Sequence, residues 1–321
     1  MKKLVLLLFC ALAAGGAARP QSYPASYPEW AYAVPTPENE ATAPPDDGTL
    51  FRLPGSDGHF SRSQVSGAGR KAPADWYPGD HPVMPKIVAA GDRGITACAG
   101  CHYPNGKGRP QNANIAGLNA DYLTRQLHEM KSGLRKSAEP RKHNAQQMVD
   151  FAKAMTDAEI AQAAAYYAAL PAAVPIKVIE TATVPRMRSQ EGMWLPHESG
   201  AREPIGNRVI ETPMDVNREQ LRDPHAGFIA YAPPGAVAKG RRLAARLDCA
   251  GCHGAGLRGG DDSVPAIAGR SPSYLARQLY DFQQGTRHGE MAAAMQPIVA
   301  KLTAGDIVNL TAYAASLPAK K

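Results

Sequence analysis

Apolar residues recur at helical spacing in two well-separated stretches of the chain. The apolar face carries Tyr122, Leu123, Leu127 and Met130 in the first stretch, and Tyr274, Leu275, Leu279 and Phe282 in the second. Each stretch ends in a further helix that begins with a capping-box pattern, Thr156 with Glu159 and Thr303 with Asp306. Neither stretch has the strong alternation of apolar and polar positions that indicates a strand. The pattern therefore predicts two helical units.

The two helical units are copies of one module. Three segments of the first recur in the same order in the second: Cys98-Ala-Gly-Cys101-His102 as Cys249-Ala-Gly-Cys252-His253, Ile115-Ala-Gly as Ile267-Ala-Gly, and Tyr122-Leu-Thr-Arg-Gln-Leu as Tyr274-Leu-Ala-Arg-Gln-Leu. Gly133 and Arg135 then match Gly285 and Arg287, after which the second copy is shorter by a few residues. Segments that repeat in order and spacing indicate a duplicated domain.

The first residues have the pattern of an export signal. Lys2 and Lys3 precede an apolar run over residues 4–14, and small residues follow as far as Ala18. This order predicts a cleaved signal peptide, residues 1–18, and hence a periplasmic protein. The run is too short to span a bilayer. Since the sequence contains no second apolar run of spanning length, we expect no transmembrane segment in the mature chain.

The remaining sequence divides around the two modules. We predict an N-terminal extension at 19–86, the first module at 87–171, a connector at 172–234 and the second module at 235–321. The extension is rich in proline and aromatic residues and is expected to wrap the first module. The connector is expected to be loop-rich but ordered, and packed on both modules. The formal net charge of +7 comes with no basic run or aromatic ladder, which argues against nucleic acid as a partner.

The repeated cysteine motif carries the chemistry. Cys-x-x-Cys-His is the attachment signature of c-type haem, in which two thiols bind the porphyrin and the histidine lies beneath the iron. A redox dithiol would not need the histidine in both copies. A zinc site would require the two cysteine pairs to meet, although each lies within its own module. The sequence therefore predicts two covalent haem c groups, attached through Cys98, Cys101, Cys249 and Cys252.

With these motifs, the chain resembles the tandem dihaem class I cytochromes c of bacterial periplasms. The matching residues are the two Cys-Ala-Gly-Cys-His motifs, the Ile-Ala-Gly and Tyr-Leu-x-Arg-Gln-Leu segments, and a methionine before the last helix of each module. The resemblance implies a mainly α fold, with one small helical domain around each haem. It also implies a methionine as the sixth iron ligand opposite His102 and His253.

The duplication indicates which methionines these are. Met148 and Met295 stand at the same distance before the last helix of their modules, whereas Met155 aligns with Leu302 and is assigned to the core. Met148 and Met295 are therefore the expected axial ligands. His143 and His288 remain alternatives, although neither aligns with a histidine in the other module.

Two further features of the repeat bear on the haem sites. Pro265 precedes the second Ile-Ala-Gly segment, in the position where the family offers a backbone carbonyl to the proximal histidine, whereas the first module has Ala113. We expect the two haem potentials to differ for this reason. Two sets of arginines occupy matching positions in the two modules: Arg125 matches Arg277, and Arg135 matches Arg287. These arginines bind either haem propionates or other protein groups, and the sequence leaves both possibilities open.

These residues favour electron transfer over catalysis, because a six-coordinate iron leaves no position for a substrate. The first hypothesis is a carrier that exchanges single electrons with redox proteins, such as a dehydrogenase, an oxidase or a reductase. The second is a fixed cytochrome subunit of a periplasmic dehydrogenase or oxidoreductase complex. A dihaem enzyme, acting as a peroxidase or in sulfur-compound oxidation, ranks below both.

Overall fold

A computed structural model describes residues 24–66, 72–172 and 176–319 of the chain. The predicted signal peptide, residues 1–18, lies outside these ranges. In the described part of the chain, none of the helices combines the length and the apolar character needed to cross a membrane.

The described residues form two helical modules joined by a β-rich segment. The extension contains helix α1 (Arg62–Ser66) and the 3-10 helices Glu29–Ala31 and Pro78–Asp80. The first module contains α2 (Lys86–Ala89), α3 (Cys98–His102), α4 (Ala120–Ser132), α5 (His143–Ala154) and α6 (Asp157–Ala168). The connector contains α7 (Val216–Gln220) and seven strands. The second module contains α8 (Ala236–Arg246), α9 (Cys249–His253), α10 (Pro272–Gln283), α11 (Gln296–Val299) and α12 (Ala304–Ser316), with 3-10 helices at Ala255–Leu257 and Glu290–Ala294.

The last helix of each module begins as the sequence predicts. Thr156 Oγ1 accepts a hydrogen bond from the backbone N–H of Glu159 at 3.2 Å, and the Glu159 carboxylate accepts one from the backbone N–H of Thr156 at 2.7 Å. Thr303 and Asp306 make the same reciprocal pair at 3.1 and 3.0 Å. Both capping boxes are thereby confirmed, and they satisfy backbone donors that the first turn of a helix leaves free.

The connector has more regular structure than the sequence predicted. Its strands are β1 (Ile176–Glu180), β2 (Thr183–Pro185), β3 (Met187–Gln190), β4 (Met193–Pro196), β5 (Arg202–Pro204), β6 (Ile210–Pro213) and β7 (Phe228–Ala232). β7 lies between β1, to which it is parallel, and β6, to which it is antiparallel. β2 pairs with β5, and β3 with β4. The β-branched residues of β1 supply the strand propensity, and pairing with β7 uses their backbone groups.

The sequence predicts that the extension wraps the first module, whereas in the structure it also packs on the second module and the connector. Trp30 and Tyr32 are buried in one hydrophobic core with Tyr280 and Ile307 of the second module and with residues of the connector sheet. Further along, the Trp76 indole N–H donates to the backbone carbonyl of Leu221 in the connector at 2.8 Å. Trp30 and Tyr32 are thus buried against the second module and the connector, whereas Trp76 packs mainly among residues of the extension itself, with Leu221 of the connector beside them.

Candidate functional site

The first module forms a cavity around its cysteine motif. Helix α3 carries Cys98, Cys101 and His102, and all three line the cavity together with Met148 from α5. The His102 side chain is buried, and its Nδ1 lies 2.8 Å from the carbonyl oxygen of Ala113. An Nδ1–H that donates to this carbonyl leaves Nε2 as the nitrogen for a metal.

The second module repeats this arrangement. Helix α9 places Cys249, Cys252 and His253 along a second cavity, which Met295 also lines. His253 Nδ1 lies 2.8 Å from the carbonyl oxygen of Pro265. The two histidine contacts have the same length, so replacement of the family's proline by Ala113 leaves the carbonyl contact in place. A difference between the haem potentials stays a prediction, and it needs a cause other than loss of this contact.

The titration behaviour of the motif residues fits ligation by a neutral imidazole. Burial lowers the pKa of His102 and of His253, although the Ala113 and Pro265 carbonyls partly oppose that shift. Burial raises the pKa of the Cys98 thiol to about 12. Both motif histidines are therefore neutral at neutral pH, as iron ligation requires.

Among the candidate sixth ligands, the methionines are the side chains that face the cavities. Met148 and Met295 are half-buried and line the first and second cavity respectively. His143 and His288 are exposed, and neither is among the residues that line its module's cavity. Met155 is buried in the first module's core and also borders the cavity. The geometry therefore supports thioether rather than imidazole as the sixth ligand.

The two cavities share a wall. Tyr122 and Gln126 of the first module and Tyr274 and Gln278 of the second line both of them. Any groups bound in the two cavities are thus separated by a single layer of side chains. The sequence did not reveal this wall, because its residues lie far apart in the chain.

Two matched arginines hold that wall together by crossing between the modules. Arg135 donates to the Tyr274 hydroxyl at 3.0 Å and to Gln278 Oε1 at 2.9 Å. Arg287 donates in the opposite direction, to the Tyr122 hydroxyl at 3.1 Å and to Gln126 Oε1 at 2.8 Å. The bonds therefore follow an approximate two-fold relation between the modules, and for these donors the partners are protein groups.

The other matched arginines also cross the interface. Arg125 donates to the carbonyl oxygen of Ser263 in the second module at 2.6 Å. Arg277 donates to the carbonyl oxygens of Pro110 and Ala31, at 2.7 and 2.5 Å. Each module thus contributes arginine donors to backbone acceptors outside itself, which fixes the modules' relative placement.

The two attachment helices differ in how far they are covered. The connector covers α3, and the Arg222 guanidinium donates to the carbonyl oxygen of Gly100 there. In the second module Cys252 is exposed, whereas both cysteines of the first module are half-buried. Solvent and partner proteins therefore reach the second attachment site more easily than the first.

Two haem-attachment motifs on matching cavities define a dihaem c-type cytochrome, and comparison with known proteins agrees. The sequence matches the family described as Cytochrome c at residues 88–170 and 237–318, slightly more than half of the chain. The chain belongs to the cytochrome c family. It carries two covalently attached haem c groups and transfers electrons.

Individual relatives are distant but cover most of both chains. Cytochrome c4 of Pseudomonas aeruginosa is 26% identical over 70% of this chain and 86% of its own length. A thiosulfate dehydrogenase electron acceptor of Thiomonas intermedia is 24% identical, over 77% of this chain and 85% of its own. Among solved structures, reduced cytochrome c4 of Pseudomonas stutzeri is 22% identical, with a TM-score of 0.45 over 70% of this chain and 95% of its own.

Proposed function

We propose that the protein is a periplasmic electron carrier that exchanges single electrons with a dehydrogenase on one side and an oxidase or reductase on the other. The observation that carries this proposal is the pair of cavities with one shared wall, which brings two one-electron centres together in one chain. The predicted export signal supports the periplasmic location.

In this proposal each motif residue has a defined role. Cys98 and Cys101 attach the first haem, and Cys249 and Cys252 attach the second. When bound, each haem supplies a one-electron iron couple. His102 and His253 are the proximal ligands, each oriented by a backbone carbonyl.

Met148 and Met295 complete the proposed ligand sets. A thioether raises the iron potential relative to a second imidazole and closes the sixth position. The shared wall of Tyr122, Gln126, Tyr274 and Gln278 keeps the two centres close. The chain's residues thereby favour electron transfer within one molecule over substrate chemistry.

Spectroscopy of the purified mature protein tests this assignment. We expect two c-type haems per chain by pyridine haemochrome, and a far-red iron–thioether band in the oxidised form. Since both irons are six-coordinate, the reduced protein should not respond to carbon monoxide, and a redox titration should show two midpoints. A carbon monoxide shift, or a missing thioether band, would contradict the carrier assignment and favour a dihaem enzyme.

The second haem is the proposed point of contact with partners. Arg242 and Arg246 lie one turn apart on α8, which runs almost directly into α9, and Arg258 follows α9. All three are exposed, and none forms an ion pair within the described ranges. We call these three residues the basic edge. Because Cys252, which precedes Arg258 in the chain on α9, is exposed, the basic edge suits an acidic partner surface.

Charge reversal tests the basic edge with small redox probes. In the double variant Arg242→Glu/Arg246→Glu, oxidation of the reduced protein by hexacyanoferrate(III) at low ionic strength is expected to slow roughly tenfold, because the local field no longer attracts the anion. High salt should remove the difference. The control Lys153→Glu/Lys177→Glu makes the same change in net charge at exposed positions elsewhere. Equal slowing in both variants would show that only net charge matters, and it would refute a specific role of the basic edge in attracting the probe.

A second candidate function is the fixed cytochrome subunit of a periplasmic dehydrogenase. The observation in its favour is the extension, which exposes two large apolar side chains, Val83 at 96% and Leu50 at 61%. The similar thiosulfate dehydrogenase electron acceptor is consistent with such an assembly. Co-purification with a catalytic subunit from native extracts would support it, whereas isolation as a lone monomer would exclude it.

A further inference from the structure

The first cavity contains a buried lysine that no group in the described part of the chain satisfies. Lys142, directly before α5, is only 6% exposed and lines the cavity together with His102. Its Nζ has no hydrogen-bond partner among the described residues. Burial lowers the pKa of Lys142 well below its ordinary value, and the nearby Arg277 guanidinium lowers it further. A buried amine without an acceptor is costly, so this one calls for an anionic partner.

Among the residues that the structure describes, the groups that line the cavity do not supply that anion. Arg277 lines the same cavity, so a second basic side chain faces it. Asp281 is the carboxyl group that lines it, but its Oδ1 accepts from the backbone N–H of Ala138 at 2.8 Å and its Oδ2 from Gln278 Nε2 at 3.1 Å. Two like charges in a largely apolar cavity are stable together only when an anion compensates them.

The position of the amine indicates which part of a bound haem it meets. A Cβ atom placed on Gly192, in the turn between β3 and β4, would lie 3.4 Å from Lys142 Nζ and 3.6 Å from the Cβ of Gln111. Gln111 belongs to the loop that leads to Ala113, the acceptor of His102. The amine therefore lies beside the segment that leads to the acceptor of His102.

We infer that Lys142 forms an ion pair with a propionate of the haem in the first cavity; this rests on the haem site of the proposed function. The second module has no counterpart, because its shorter segment between Arg287 and Met295 contains no lysine or arginine. A cation at the propionate disfavours the extra positive charge of Fe(III) and so raises the potential of the first haem. Lys142 is thus a positioning residue that makes the potential of the first haem different from that of the second.

The test is a spectroelectrochemical titration of the purified two-haem protein. The variant Lys142→Met keeps an unbranched side chain, one atom shorter, and removes the charge. One midpoint is expected to fall enough to change the equilibrium for electron exchange between the haems at least tenfold, which corresponds to 59 mV for one electron. The other midpoint should not move. Lys142→Arg should retain the wild-type midpoints, and Lys153→Met, on the exposed side of α5, should have no effect.

Several outcomes would overturn the inference without touching the proposed function. Unchanged midpoints in Lys142→Met, with two haems still bound, would show that the lysine does not reach a propionate. If that variant fails to assemble, the resonance Raman propionate-bending modes of the wild type and Lys142→Arg decide. A propionate mode typical of a hydrogen bond that shifts between the wild type and Lys142→Arg supports the ion pair. A propionate mode that does not shift refutes the ion pair. Wild-type protein with fewer than two haems would contradict the proposed function instead.

Discussion

Met148→Ala is expected to convert one of the two haems to an open form. Because alanine cannot reach the iron, about half of the far-red thioether band should disappear, and the reduced variant should bind carbon monoxide at one haem. The midpoint of that haem should fall by on the order of 0.1 V, within the ~0.8 V that axial ligation spans. Met295→Ala should do the same at the second haem. Optical and carbon monoxide titrations measure both effects.

The chain contains its own control for this experiment. Met155 borders the first cavity but belongs to the module's core, and the second module has Leu302 at the equivalent position. Met155→Leu should therefore keep the thioether band and the midpoints, at a cost in stability below about 1.5 kcal/mol. His143→Ala and His288→Ala should also be silent. Loss of thioether-band intensity in Met155→Leu, or full intensity in Met148→Ala, would contradict the assignment of ligands.

Glu219→Ala is expected to cause the largest loss of stability. Glu219 lies on α7 and is fully buried, where it accepts hydrogen bonds from the Tyr103 hydroxyl at 2.7 Å, Lys107 Nζ at 3.1 Å and Arg109 Nε at 2.9 Å. Its removal leaves two buried cations in the loop that follows His102. We expect the free energy of unfolding to fall by about 3–5 kcal/mol. Denaturant unfolding, followed by far-ultraviolet circular dichroism and by haem absorption, measures this loss.

A surface pair in the same connector gives the comparison. Glu203 pairs with Arg208 at 2.6 Å, but about one third of each side chain is exposed. Glu203→Ala should therefore cost less than about 1 kcal/mol. Equal losses in Glu203→Ala and Glu219→Ala would show that the buried cluster contributes nothing beyond an ordinary ion pair.

The effect of Glu219 should also depend on pH. Burial opposes its ionisation, but Lys107 and Arg109 outweigh burial and hold the pKa of Glu219 below its ordinary value. Its stabilisation is therefore complete above the unfolded-chain pKa of about 4.3 and is lost as the pH falls through the folded value. The deficit of Glu219→Gln relative to the wild type should shrink in acid. A deficit that grows in acid would contradict the lowered pKa.

The sequence did not predict the hydrogen-bond partners of the matched arginines. The repeat matched Arg135 with Arg287, but their partners remained open between propionates and protein groups. Each guanidinium bonds to side chains of the opposite module, and Arg135 and Tyr274 are 139 residues apart in the chain. A contact at that separation leaves no local pattern, so only the packing of the two modules reveals it.

The sequence by itself determined the features that depend on neighbouring residues. The cysteine motifs, the duplicated module, the apolar faces of α4 and α10 and the two capping boxes all follow from spacings of a few residues. Two covalent haems and an electron-transfer function followed from these features, because the thiols and the histidine of the attachment motif must lie within one turn of helix.

The tertiary structure alone decided how the two haem sites differ. The connector folded into sheets and placed Arg222 on α3 of the first site, whereas Cys252 of the second remained exposed. Trp30 packed on the second module rather than the first. Lys142 became buried, and its Nζ has no hydrogen-bond partner within the described ranges. These outcomes depend on which distant surfaces best bury apolar area and compensate charge, and the same local sequence is compatible with more than one such arrangement.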